Sequence, residues 1–499
     1  MVPSTNLFAT DKPFRPRQDA LYAEVVATLG QPIEKLSNDS RRVAPGVTFT
    51  AYLGATTDGR NYIAQAIEGG ASAVLWEPRG FQWQADWRVK NMPIENIAQR
   101  LAELADAVYG HPSQRLWVIG VTGTNGKTSC SFWLAQALNA LGTRTALLGT
   151  LGNGFLGELS ASSNTTPDAI VLQESLASYV STGARAVAME VSSHGLAQRR
   201  VDAIAFDFAV FTNLTRDHLD YHATMEEYAA AKARLFDMPE LDYAIVNSDD
   251  AFGAELARRL AERPLECITY GIESGDVRAQ DIRLGADGVS FKVASHWGSF
   301  EVWAPVVGRF NIYNLLAVTA VLLAGKTEPA AVTAALAKLT PVPGRMQRVN
   351  ADKGPSVIID YAHTPDALEK ALQSLREIKR GRLVCVFGCG GNRDRGKRAE
   401  MGAIAARLAD FSIVTNDNPR DEAPADIIEA ITAAMPSDYA VIEDRAEAIH
   451  YAIAKSSEAD LVLIAGKGHE TYQEIAGRRV PFSDAETAGT ALQKWTARQ

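Results

Sequence analysis

Cysteine is scarce in this 499-residue chain, which holds only Cys130, Cys267, Cys385 and Cys389. Residues so few and so widely spread build neither a disulfide framework nor a four-ligand zinc pattern, and they suit a reducing compartment. Long apolar runs are missing too. The most apolar segment, Leu315 to Gly325, falls well short of the ~20 residues that span a bilayer. The stretch from Met1 to Gly30 carries Asp11, Arg15, Arg17, Gln18 and Asp19 and has no uninterrupted apolar stretch of the signal-peptide kind. Basic residues are outnumbered: 50 Lys and Arg against 59 Asp and Glu give a formal charge of −9. Such a surface repels a polyphosphate backbone, so nucleic-acid binding is disfavoured, while a local basic pocket for a small anion stays open. No internal repeat or low-complexity tract is visible. The expectation is a cytoplasmic monomer with neither nucleic acid nor membrane as partner.

Hydrophobic residues make up 46% of the chain and charged residues 22%, enough apolar material for several cores. At roughly 150 residues per domain the length predicts about three domains. Two Pro/Gly clusters mark the boundaries: Tyr109-Gly110-His111-Pro112-Ser113 and Thr340-Pro341-Val342-Pro343-Gly344. The predicted domains are therefore 1–110, 111–340 and 341–499. Apolar runs predict strands at Val47 to Tyr52, Ala73 to Trp76, Leu116 to Val121, Ala186 to Glu190, Phe208 to Phe211 and Tyr243 to Asn247. They predict four more at Val357 to Asp360, Leu383 to Phe387, Phe411 to Val414 and Leu461 to Ala465. Helical patterns lie between them, including Ile63 to Ile67, Ile94 to Val108, a helix from about Thr128, and Tyr228 to Leu235. This alternation predicts an α/β protein with mostly parallel sheets, whose ligands sit at the carboxyl ends of the strands.

One such end is Thr122-Gly123-Thr124-Asn125-Gly126-Lys127-Thr128, after a strand and before a helix. Glycines let the backbone curl so that N–H groups face phosphate oxygens, and the helix N-terminus adds a favourable dipole. Lys127 would neutralise the β- and γ-phosphates, and the Thr128 hydroxyl would ligate Mg²⁺. The general pattern wants a further glycine where Val121 stands; here the glycines are at 120, 123 and 126. The strand, turn, helix and Lys-Thr pair still point to an adenine nucleotide.

Glu190 closes its strand ahead of Val191-Ser192-Ser193-His194-Gly195. A carboxylate there can hold Mg²⁺, although alone it reads more readily as a surface acid. The next strand runs into Thr212-Asn213-Leu214-Thr215-Arg216-Asp217-His218-Leu219-Asp220-Tyr221-His222, dense in histidine for a chain with eight. No third ligand spacing supports zinc, and a solvated loop is the plain alternative. Lys232, alone, reads as an exposed helix lysine.

Taken together with Gly308-Arg309-Phe310-Asn311, Asn314, Asp360-Tyr361-Ala362-His363-Thr364-Pro365 and Asp417-Asn418-Pro419-Arg420, these segments stand in the order seen in the Mur ligase family, which the chain resembles over nearly its whole length. The resemblance is weakest over the first ~35 residues and between about 250 and 300. It implies an N-terminal UDP-binding α/β domain, a central P-loop ATPase and a C-terminal Rossmann-like domain. It implies ATP and two Mg²⁺ as cofactors. The implied reaction adds meso-diaminopimelate to the D-glutamyl γ-carboxylate of UDP-MurNAc-L-Ala-D-Glu, through an acyl phosphate, in peptidoglycan synthesis. Rival readings are a lysine-adding sister ligase, a catalytically silent nucleotide-binding regulatory protein, and folate polyglutamylation; the last lacks the N-terminal domain and the Asp-Asn-Pro-Arg loop.

Residue by residue, the resemblance implies Thr128 and Glu190 at a first metal, and His218 with a carbamylated Lys232 at a second. Lys127, Glu190, His218 and Lys232 form the implied catalytic set. Asn311 and Asn314 match positions near adenine, and Arg345, Asp360 and His363 face the nucleotide. Asn164, Thr165, Thr166, Ser192, Gln198 and Arg200 match positions that hold the UDP-sugar peptide. Ser40, with Ala55, Thr56 and Thr57, matches the uridine side. For the incoming amino acid the match gives Arg393, Asp417, Asn418, Pro419, Arg420, Gly466 and Glu470. Diaminopimelate carries a second carboxylate that lysine lacks, and the planar fork of Arg420 can grip it where a lysine ammonium would be repelled. Glu470 would pair with the distal ammonium. The run Gly388-Cys389-Gly390-Gly391-Asn392-Arg393 fails as a dinucleotide fingerprint because Arg393 occupies its third glycine position.

Overall fold

The computed structural model describes residues 6–17, 19–54, 57–162, 164–219, 221–285, 287–349, 353–436 and 438–497. Ala55 and Thr56, expected on the uridine side, lie outside the described residues. The chain divides into two compact units, one drawn from Met1–Val246, Asp250–Ile268 and Ala324–Thr327, the other from Asn247–Asp249, Thr269–Leu323 and Glu328–Gln499. Among the described residues no helix is long and apolar enough to cross a membrane.

The first unit holds two sheets. The smaller is wholly parallel: Lys35–Ser37, Val47–Ala51, Ala73–Trp76 and Lys90–Pro93 pair in chain order. Helices Ala20–Leu29 and Ile97–Val108 bury Leu21, Val25, Leu101 and Leu104 against Leu36 and Leu75. The helix predicted from Ile94 starts three residues later. Lys90–Pro93 continues the sheet up to that point, and Asn96, at φ 54°, stands in the left-handed region where a helix cannot run.

In the larger sheet six strands follow the order Gly152–Phe155, Thr145–Gly149, Ala186–Glu190, Trp117–Thr122, Phe208–Phe211, Tyr243–Asn247. All pair in parallel except the Thr145–Gly149 and Gly152–Phe155 hairpin. Trp117–Thr122 lies between strands reached by opposite crossovers, so its carboxyl end is the crevice where α/β sheets take ligands. The phosphate loop occupies it.

The segment expected as a linker after Val108 is pinned. His111 is buried, its ring nitrogens 2.8 Å from Asp106 Oδ2 and 3.1 Å from Asp19 Oδ2. The opening segment is seated as firmly. Phe8 packs on Trp117 and Phe208, with ring centroids 6.2 and 5.4 Å away. It fills the space beside Gly325, where a Cβ would collide with its ring. Lys12 Nζ donates to Ser113 O, Ala205 O and Asp207 Oδ2 at 3.1, 3.0 and 2.8 Å. Burial pushes the Asp207 carboxyl up to about 6 despite that ammonium.

The second unit carries an antiparallel run, Val277–Leu284, Val289–Ser295 and Gly298–Ala304, that the apolar pattern did not predict. Its strands alternate buried and exposed residues, as one-sided antiparallel sheets do. The other sheet has the order Gln347–Val349, Ser356–Asp360, Leu461–Ala465, Leu383–Phe387, Phe411–Val414, Tyr439–Val441, parallel except for its first strand. Helices Pro365–Arg376, Gly396–Leu408 and Pro424–Thr432 cover one face, and Arg445–Ala454 and Asp484–Thr496 cover the other.

Candidate active site

The phosphate loop is built by close approach of two strand ends. Gly123 stands at φ 145°, and a Cβ there would collide with Thr212 Oγ1, so only glycine lets the loop pass. Asn213, next along, accepts Asn125 N–H at its Oδ1 (3.0 Å) and Thr124 N–H at its carbonyl (2.8 Å). Helix Lys127–Ala140 then begins at Lys127. Lys127 folds over its own loop, Nζ donating to Gly123 O and Thr124 O at 2.9 Å each.

Glu190 is no surface acid: it is 1% exposed. Its Oε2 accepts the Thr128 hydroxyl at 3.0 Å and the Thr150 hydroxyl at 3.2 Å, and its Oε1 accepts Thr150 N–H at 2.7 Å. The two candidate ligands of the first metal are therefore already together. Lys232 also departs from its plain reading. It lies in helix Met225–Ala233, is 1% exposed, and donates to the same Gly123 carbonyl as Lys127, at 2.8 Å. Its Nζ sits 4.3 Å above the Tyr228 ring. Burial, reinforced by the Lys127 charge, pushes the Lys232 amine well below the usual lysine range.

Lys127, Lys232, His218, His194, Ser192 and Arg200, with Asn164, Thr165 and Thr166, line one cavity of about 210 Å³. His218, at φ 55°, keeps Nε2 3.4 Å from Asp217 Oδ2, and its ring lies 4.9 Å from that of His194. Thr166 donates to Glu190 O at 2.9 Å and to Ser192 Oγ at 3.1 Å. Arg200 is oriented by Thr166 O at 2.6 Å and by Gln198 Oε1 at 2.6 and 3.0 Å. Thr165 pairs with Thr150 at 3.1 Å. Ser40 and Thr57 stand in the smaller sheet's loops; Ser40 donates to Gln65 Oε1 at 2.8 Å, and Thr57 is exposed.

The remaining candidates belong to the second unit. Asn311 and Asn314 are buried in the first turns of helix Phe310–Ala324, Asn314 Nδ2 donating to Asn311 Oδ1 at 2.9 Å. Arg345 lies 4.4 Å over the Tyr361 ring. Asp360 accepts Met346 N–H at 2.7 Å, and burial pushes its carboxyl up to about 6 although Arg345 opposes this. His363 is exposed and bonds Tyr361 O at 2.8 Å.

The Asp417–Arg420 loop faces the Gly466–Glu470 loop. Gly466, at φ 118°, leaves room for Asp417, whose Oδ2 would stand 2.5 Å from a Cβ there. Arg420 is held at φ 52°, Nη1 donating to Gly391 O at 2.8 Å and Nε to Glu474 Oε2 at 3.2 Å. Arg393 is exposed, and Pro419 follows Asn418 in the buried part of the loop. Sequence reasoning missed the residues that lock this region: Lys467, Arg445, Asp484, and Glu422 with Arg398. It missed Tyr228 and Thr150 in the first unit. Asn213 was within the motif as read, without a role.

Among the described residues no group of three or more His, Cys, Asp and Glu side chains is arranged to hold a metal ion. The donors present are of another kind: a hydroxyl and a carboxylate oxygen, 3.0 Å apart and buried, which suit a hard cation such as Mg²⁺.

Family models match three consecutive stretches: the Mur ligase family catalytic domain over residues 32–109, the Mur ligase middle domain over 121–322, and the Mur ligase glutamate ligase domain over 344–468. A relative from Chromobacterium violaceum, named UDP-N-acetylmuramoyl-L-alanyl-D-glutamate–2,6-diaminopimelate ligase, is 50% identical over 474 residues, covering 94% of this chain and 96% of its own. The chain belongs to the Mur ligase family. A relative of the same name from Coxiella burnetii is 48% identical and covers 95% of this Mur ligase and 98% of itself. A solved structure of a ligase of that name superposes with a TM-score of 0.70 at 36% identity, covering 94% of this chain and 96% of its own. The three-domain α/β fold expected from the motifs is the fold of this Mur ligase.

Proposed function

We infer that this Mur ligase adds meso-2,6-diaminopimelate to the D-glutamyl γ-carboxylate of UDP-MurNAc-L-Ala-D-Glu, using ATP, in peptidoglycan synthesis. One observation carries the reading: the cavity of about 210 Å³ beside the phosphate loop gathers the Lys127 and Arg200 cations, with the buried Lys232 amine, around hydroxyl and amide groups. A carboxylate is a poor acyl donor because oxide would have to leave. Moving the γ-phosphoryl of ATP onto it gives an acyl phosphate, with ADP leaving. The amine of diaminopimelate then attacks, phosphate departs, and the amine gives up a proton as the amide forms. Bringing an anionic carboxylate to a triphosphate is opposed by charge, and Lys127 and Arg200 offset that repulsion.

Thr128 and Glu190 would hold one Mg²⁺, and His218 with a carbamylated Lys232 the other. The disfavoured charge on buried Lys232 suits the modification, since a neutral amine takes up CO₂, releases a proton and gains anionic oxygens. When bound, Mg²⁺ supplies charge compensation at the transferring phosphoryl group. Arg200, Thr166 and Ser192 would orient the dipeptide end of the UDP-sugar; Ser40 and Thr57 belong to the uridine side. Asn311, Asn314, Arg345, Asp360 and His363 would serve the nucleotide. Arg393, Asp417, Asn418, Pro419, Arg420, Gly466 and Glu470 would receive the amino acid. The substrates are small, charged and water-soluble, which fits work as a cytoplasmic monomer.

The test supplies UDP-MurNAc-L-Ala-D-Glu with ¹⁸O in the γ-carboxylate, ATP, and either diaminopimelate or L-lysine. The expected result is a diaminopimelate tripeptide and ¹⁸O in the released orthophosphate. Preference for lysine would make it the sister ligase. Silence with every amino acid would leave a nucleotide-binding regulatory protein.

A further inference from the structure

Lys467 is 0% exposed, an unusual place for an ammonium. Its Nζ donates to Asn418 Oδ1 and to Glu470 Oε2, each at 2.9 Å. Asn418 Nδ2 donates to the same Glu470 oxygen at 2.8 Å, and Asn418 Oδ1 also accepts Glu474 N–H at 2.9 Å. One ammonium thus ties the Asp417–Arg420 loop to the Gly466–Glu470 loop. Both bonds fall on Oε2, so among the described residues Oε1 of Glu470 accepts none, and the Glu470 side chain is 19% exposed.

The groups around Glu470 come from several elements. Lys467, His469 and Tyr472 share its loop and the hairpin that follows. Asp417 and Asn418 face it from the loop after Phe411–Val414. Arg445 faces it from its helix and Asp484 from the start of the last helix, while Tyr361 and Arg345 lie beyond. In the buried set, Lys467 and Arg445 against Asp417, Asp484 and Glu470 leave one negative charge in excess when all are ionised. That is the charge an incoming ammonium needs.

We propose that Lys467 is a positioning and specificity-determining residue of the amino-acid pocket: it holds Glu470 ionised, with Oε2 occupied and Oε1 turned to the distal ammonium of the amino-acid substrate. This rests on the diaminopimelate reading above. Burial works against the Glu470 charge, and the Lys467 ammonium with the Asn418 amide overcomes it, holding the carboxyl below its ordinary range. Remove the ammonium and the Asn418 amide is left to oppose burial without it, so the Glu470 carboxyl titrates higher and its attraction for a cation weakens as pH falls.

The experiment compares wild type, Lys467→Met and Lys467→Arg by steady-state kinetics across pH. Lys467→Met should raise the KM for diaminopimelate by about tenfold one pH unit below the point where the variant's Glu470 titrates, where only about one carboxyl in ten keeps its charge. It should leave the KM for ATP near its wild-type value and recover as pH rises, whereas Lys467→Arg should keep most of the wild-type profile. A purely structural lysine would lower kcat and stability with no change in the pH profile. Unchanged KM for diaminopimelate, or an unshifted profile, overturns the proposal. The wild-type protein gives a second arm that survives misfolding of the Met variant: calorimetric affinity for diaminopimelate should stay flat from pH 8 to about 5.5. A fall in that range that Glu470→Gln abolishes would overturn the proposal as well. Wild-type protein that turns over no diaminopimelate at all refutes the function instead, so the two failures are distinct.

Discussion

Arg445 and Asp484 form a two-pronged ion pair, Nε to Oδ1 at 2.7 Å and Nη2 to Oδ2 at 2.8 Å, with neither side chain exposed to solvent. Arg445 also donates to Asn416 O and Ala465 O, at 3.2 and 3.0 Å. These carbonyls directly precede Asp417 and Gly466, so the pair fixes both loops of the proposed amino-acid pocket from beneath. Asp484→Asn leaves a buried guanidinium without its counter-charge and should cost about 3–5 kcal/mol in stability. Denaturant unfolding measures this; a loss within about 1 kcal/mol would show that the pair is replaceable.

Lys127→Ala should abolish ATP-dependent phosphate release, by about a hundredfold or more, while leaving the fold intact. Its ammonium bonds two carbonyls of its own loop. Full activity in the variant would remove Lys127 from the phosphate site.

Lys232→Met should silence phosphate release and yet, compared with wild type kept free of CO₂ so that Lys232 is an unmodified amine, stabilise the protein at neutral pH. The native amine lies well below its unfolded value near 10.5, so the unfolded state binds the extra proton at neutral pH. Folding therefore pays a cost that fades as pH climbs towards 10.5. The variant's advantage in Tm should be larger at pH 7 than at pH 9.5. A variant less stable than wild type at both would contradict this.

Arg420→Ala should raise the KM for diaminopimelate far more than that for ATP. Its loop is also held by backbone bonds, Arg420 N to Glu474 O at 2.9 Å and Ala476 N to Arg420 O at 2.7 Å, which the substitution leaves in place. Equal effects on both substrates would take Arg420 out of the amino-acid pocket.

Glu422 gives an acid-sensitive signature. The Arg398 guanidinium, with Asn392 N–H, holds its carboxyl at about 2 against an ordinary 4.5. Its stabilisation is complete above about 4.5 and is lost as pH falls towards 2. Glu422→Gln should be less stable than wild type near neutrality, and the difference should close across that window. A difference independent of pH would point to packing instead of charge.

The parallel strands were legible because strands buried on both faces read as unbroken apolar runs; Ala186–Glu190 and Leu383–Phe387 lie where their runs predict. Val277–Leu284 was not, since Arg278, Gln280, Asp281 and Arg283 interrupt it and most of its pairing is antiparallel, with Val289–Ser295. The phosphate loop was legible as a local motif. The burial of Lys232 was not: Ala229, Ala231 and Ala233 beside it give no stripe, and its cover is the phosphate loop 109 residues away. Lys467 and Arg445 escaped for the same reason, because their partners stand 49 and 39 residues off.

Phe8 acts as a latch pin for the first unit. Trimming the chain past Lys12 would strip the cover from Trp117 and Phe208 and strand the Asp207 carboxylate without its ammonium. A shortened expression variant should therefore emerge as aggregate while keeping every residue proposed to touch substrate, and its silence would say nothing about chemistry.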